Sequence, residues 1–97
     1  MATTVYNRTP EFLRAAEGLI SYDTDMVKRF RIYFAGLVEK GIALPDTLDA
    51  IDSTLELREW LTLRADAADI NQLAAEYAGR DLDEIEDEYG RICGPTA

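Results

Sequence analysis

Apolar residues recur at three- and four-residue spacings along nearly the whole chain, and start or stop signals bound each stripe. That period suits helices and no sheet. Thr9-Pro10-Glu11 supplies a capping hydroxyl, a proline at the first helical position and an acid near the positive end of the helix dipole. Phe12, Leu13, Ala16, Leu19 and Ile20 share a face behind it, which predicts a first helix to about Ser21. Asp23 or Thr24 starts a second, whose Met26, Val27, Phe30, Tyr33, Phe34, Leu37 and Val38 fall within one arc. Gly41-Ile42 has the form of a left-handed stop in which the apolar residue folds back on the helix end.

Pro45 opens the next helix, but between 46 and 64 the apolar face moves. Leu48, Ile51 and Leu55 lie together, whereas Leu57, Trp60 and Leu61 project from nearly the opposite side. A single straight helix would need burial on both faces. Ser53-Thr54-Leu55-Glu56 reads as a capping box, so the expectation is two helices, 46–52 and 54–64. Asp69-x-x-Gln72 and Asp81-x-x-Glu84 repeat that logic for a fifth and a sixth. Their stripes are Ile70, Leu73, Ala74 and Tyr77, then Leu82, Ile85, Tyr89 and Ile92. The expected fold is all-α: a compact single-domain bundle of five to six short helices, the second central and the C-terminal pair like a helix-turn-helix. Residues 1–97 form one domain, with 1–8 and 94–97 flexible.

No apolar run approaches the roughly 20 residues needed to cross a bilayer. The start, MATTVYNRTP, lacks a signal-peptide pattern, and the single Cys93 has no internal partner, so a cytoplasmic location is expected. The chain has no histidine, no phosphate-cradling glycine loop and no calcium-loop pattern. Catalytic residues, cofactors and metals are therefore expected to be none.

Charge is the informative feature. Residues 1–43 balance at +1 and residues 44–97 at −10, together the net −9. The segment DLDEIEDE, 81 to 88, holds Asp81, Asp83, Glu84, Glu86, Asp87 and Glu88 on what would be the recognition helix of the C-terminal pair. Such a helix would repel phosphate, which excludes direct DNA binding through it. Three readings stay open: a solvated face, a negative surface that docks on a basic protein, or metal or polyamine binding of a nonspecific kind. Asp49 and Asp52 would extend that surface. Trp60 suits either core or an interface anchor. Lys28, Arg31 and Ile32 would form a second patch on the second helix, and Tyr22, Tyr33, Tyr77 and Tyr89 suit a core margin or an interface.

Ala50-Ile51-Asp52-Ser53-Thr54, ahead of an expected helix in an acidic chain, resembles the phosphopantetheine site of acyl carrier proteins. It lacks that family's glycine and has threonine in place of leucine, and the resemblance implies a carrier modified at Ser53. The size, the acidity and VKRFRIYFAGLVEKGI, 27 to 42, are similar to the small anti-sigma protein of T-even phages. That likeness implies a phage or mobile-element protein that grips a nucleic-acid-handling partner.

The leading expectation is a non-catalytic protein-binding module with no membrane association. It would be a small acidic inhibitor that docks on a basic nucleic-acid-handling protein as a DNA mimic, in the manner of anti-CRISPR, anti-sigma or anti-restriction proteins. The alternatives are an adaptor bridging two proteins and, more remotely, the carrier.

Overall fold

The computed structural model describes residues 5–63 and 70–93, with side chains through Asp87. These residues form five α-helices and no strand: α1 (Pro10–Gly18), α2 (Thr24–Glu39), α3 (Pro45–Thr62), α4 (Ile70–Glu76) and α5 (Leu82–Cys93). A single 3-10 turn, Leu19–Ser21, extends α1. None of these helices is long and apolar enough to cross a membrane. The expected start of the fifth helix at Asp69 and the tail from Gly94 lie outside the described residues.

The start signals act as their residue types predict. Thr9 Oγ1 accepts from the Phe12 amide at 3.1 Å and donates to Asp46 Oδ2 at 2.6 Å, joining the first turns of α1 and α3. Asp23 Oδ1 caps α2 by accepting from Met26 at 2.8 Å. At the other end of α2, Gly41 is left-handed at φ 75°, with Ile42 donating to Leu37 and Gly41 donating to Val38. Ile42 does not fold back, however, and stays 70% exposed.

The largest departure concerns α3. No break occurs at Ser53; one 18-residue helix runs from Pro45 to Thr62. Both of its apolar faces are buried because α1, α2 and α4 all pack against it, so α3 rather than α2 is the central helix. Ser53 stands mid-helix with no exposed surface, and its hydroxyl accepts from the Gly79 amide at 2.6 Å.

Two clusters flank α3. Phe12, Ala16, Ala50, Leu57, Leu61, Ala74, Tyr77, Ala78 and Ile85 join α1, α3, α4 and α5. Leu19, Val27 and Ile51, with Phe30, Phe34 and Leu55 beside them, join α2 to α3. A fully buried aromatic such as Phe12 stabilises the fold by about 1.5–3 kcal/mol through lost water contact alone. Leu13, Met26 and Tyr33, assigned to buried stripes by their spacing, lie at the margins and are 38%, 38% and 63% exposed. For Met26 and Tyr33 the cause is that, among the described helices, α2 packs chiefly on α3.

Arg58 is 1% exposed and reaches from α3 into the α1–α2 corner. Its Nη1 donates to the Tyr22 carbonyl and its Nη2 to the Leu19 carbonyl, each at 3.0 Å. Asn71 of α4 donates to Tyr22 as well, at 3.1 Å. The Leu19 carbonyl also accepts from the Tyr22 amide at 3.0 Å, so Arg58 uses its second lone pair, whereas the Tyr22 carbonyl, beyond the turn, is served by the Arg58 and Asn71 side chains.

Candidate interaction surface

The base of α5 is held on two sides. Gly79, at φ +80°, makes the turn after α4, and its amide is taken by Ser53. Its carbonyl accepts from the Tyr6 amide at 3.3 Å. A Cβ at this position would lie 2.9 Å from Arg8 Cγ and 3.1 Å from the Phe12 ring, so glycine is needed for space as well as for φ. Asp81 then starts α5, its Oδ1 accepting from the Asp83 amide at 2.8 Å and its carbonyl from the Ile85 amide.

From that base the helix sorts its side chains by period. Ile85 is fully buried and Leu82 packs against the same cluster, whereas Asp83, Glu84, Glu86 and Asp87 are exposed. Asp81, at the root, is partly covered. Glu84 pairs with Arg80 one turn back, Oε1 to Nη2 at 3.5 Å, and that guanidinium sits 5.4 Å from the centre of the Tyr77 ring. The expected positions of Glu88, Tyr89 and Ile92 fall among side chains that are not described.

Asp49 and Asp52 are half-buried on α3. Burial, and then repulsion from Asp46 and Asp52, pushes the Asp49 carboxyl above its ordinary value. Tyr6 lies beside α3 and is tied to the turn after α4. Its ring lies 6.0 Å from that of Phe12 and its amide is bonded to Gly79. Burial raises its hydroxyl pKa, and so do Glu56, Asp52 and Asp49 in that order, against a lowering by Arg31. An open groove of about 720 Å³ runs beside it, lined among others by Tyr6, Lys28, Asp52, Glu56, Arg58 and Glu59.

Sequence reading assigned the first-half cations and the second-half acids to separate surfaces, and the structure brings two of them into contact. Arg31 Nε lies 2.6 Å from Asp52 Oδ1, and Lys28 faces the groove that Asp52 lines. Ile32 stands 75% exposed on the outer side of α2. Trp60 is partly buried against the main cluster, which makes it a core-margin residue. Tyr6, Glu56, Arg58 and Glu59 escaped sequence reading. Arg58 carried a signal: it follows Ile51 by seven residues, two helical turns along the same stripe.

Among the described residues no group of three His, Cys, Asp or Glu side chains is arranged to hold a metal ion. Ser53 is not the exposed serine at a helix start that a phosphopantetheine attachment needs. Comparison with family models, with curated protein sequences and with solved structures finds no match to this chain.

Proposed function

We propose that this chain is a non-catalytic binding protein whose acidic surface docks on the basic face of a nucleic-acid-handling protein. By occupying the place of phosphate it acts as an inhibitor or regulator. The observation that carries this reading is the sorting of α5, where Asp83, Glu84, Glu86 and Asp87 are exposed on a helix anchored by Leu82 and Ile85. Carboxylates carried on an ordered helix meet a row of Lys or Arg with little further loss of backbone freedom. Complementary fields of this kind raise association rates and suppress wrong partners. On α3, Asp49 adds a further half-buried carboxylate, while Asp52 is paired with Arg31 and contributes less. The anti-CRISPR, anti-sigma and anti-restriction classes of mobile-element protein all fit this mechanism.

The adaptor reading draws on Lys28, Arg31 and Ile32 as one cationic patch. Pairing of Arg31 with Asp52 leaves that patch weaker than its sequence suggests.

Capture from a cell lysate at low salt, eluted by a salt gradient, tests the proposal. The expected result is a basic, nucleic-acid-binding protein that leaves the column as salt rises and whose nucleic-acid binding is suppressed by this chain. A captured protein that binds its nucleic acid equally well with this chain present would reject it.

A further inference from the structure

The helix α2 has an outer face that none of the described residues covers. It packs on α3, and only Val27 of its 16 residues is fully buried. Ile32 and Tyr33, at its midpoint, are 75% and 63% exposed. Tyr22 and Met26 stand partly bare at one end, and Ile42 and Leu44 at the other, 70% and 56% exposed. Six of the nine large apolar side chains with exposed surface among the described residues thus fall between Tyr22 and Leu44, Ile32 and Tyr33 being the barest on α2 itself.

We infer that a second copy of this chain covers that face, its α2 antiparallel to the first about a twofold axis between Ile32 and Tyr33. Three observations choose a second copy over another occupant. The first is charge register. Asp25, Arg29, Ile32, Gly36 and Lys40 follow one another at spacings of four, three, four and four, so they share the stripe turned away from Val27. An antiparallel partner centred at Ile32 and Tyr33 brings Asp25 opposite Lys40 of the second copy. The twofold repeats that pair, giving two ion pairs and no like-charge apposition along the stripe.

The second observation is Gly36. A glycine inside a helix costs about 1 kcal/mol relative to alanine. A Cβ there would meet nothing within 4 Å among the described residues, so no packing among them calls for glycine. In the antiparallel pair it stands opposite Arg29 of the second copy, where the bare backbone admits the long arginine stem.

The third is the division of charge. Residues 1–43 balance at +1 and residues 44–97 at −10. The acidic helix α5 belongs to the main cluster, and α2 belongs to the other, on a different side of α3. Joining through α2 therefore keeps the strongly negative parts of two copies away from the interface. Such an assembly presents two acidic ends, and it stands or falls independently of what those ends bind.

Sedimentation equilibrium of the full chain tests the inference, in reducing buffer so that Cys93 forms no cross-link. Over a range from about 1 µM to about 500 µM the mass should rise from one chain to two. Ile32→Asp puts two carboxylates at the axis and should move the midpoint at least about tenfold higher in concentration, with unchanged helical circular dichroism. Asp25→Lys and Lys40→Asp should each weaken the dimer, and the double exchange should restore it. A single-chain mass across the range overturns the inference, and so would a partner other than this chain being the sole occupant. An Ile32→Asp protein that dimerises like the wild type, or a double exchange no better than either single change, also overturns it.

Discussion

Arg31 and Asp52 hold α2 against α3, the guanidinium Nε 2.6 Å from the carboxylate Oδ1. The arginine belongs to the half of the chain that is nearly neutral and the aspartate to the half that carries the negative charge. Their pairing converts an apparent division into a joint. Both are partly solvent-exposed, so water and salt screen the pair. A double-mutant cycle with Arg31→Ala and Asp52→Ala, followed by urea unfolding, should give a coupling of about 1 kcal/mol or less, smaller still in high salt.

Ser53 supplies the partner for a buried backbone amide at the turn that aims α5. Ser53→Ala leaves the Gly79 N–H without an acceptor and should cost about 1–3 kcal/mol in urea unfolding. Because the hydroxyl is enclosed, incubation of the folded protein with a phosphopantetheinyl transferase should leave its intact mass unchanged.

Arg58 is a buried cation held by carbonyls, and its Nε has no hydrogen-bond partner among the described residues. Arg58→Ala removes both the donors and the packing volume and should destabilise by about 2–4 kcal/mol. Arg58→Met keeps much of the volume and removes a desolvated charge, so it should cost less than alanine. Comparing the two unfolding midpoints checks the order.

Asp49 gives a pH signature. Its folded pKa lies above the ordinary 3.8, mainly through burial, so the folded state holds this proton more tightly than the unfolded chain does. Stability from this group is therefore lost as pH rises from about 4 through the folded value. Asp49→Asn should be more stable than the wild type at pH 7, and the difference should vanish once pH falls below both values. Unfolding curves at a series of pH values measure it.

The helices could be read from their ends. Thr9, Asp23 and Asp81 act locally on the next few amides, and Gly41 turns the chain by its own conformational freedom, so their effects need no knowledge of the rest of the fold. The continuity of α3 could not be read in this way. Ser53 looked like a cap because a serine before an acidic turn has that form, but its hydroxyl serves Gly79, 26 residues on. A helix buried on both sides has no single apolar face, so its period gives no sign of how far it runs. Of the surface, the exposure of Asp83, Glu84, Glu86 and Asp87 followed from the period of Leu82 and Ile85. The place of Tyr6 between α3 and the Gly79 turn depended on long-range contacts and left no local mark.

The acidic face of α5 is tested most directly by affinity for the captured partner as a function of salt. The wild type would be compared with a variant carrying Asp83→Asn, Glu84→Gln, Glu86→Gln and Asp87→Asn. These substitutions preserve shape and leave Leu82 and Ile85 in place, so helical content should not change. The account predicts wild-type binding that weakens steeply with salt, and variant binding that is weaker at low salt and nearly flat thereafter. Equal affinity and equal salt dependence for the two proteins would contradict it.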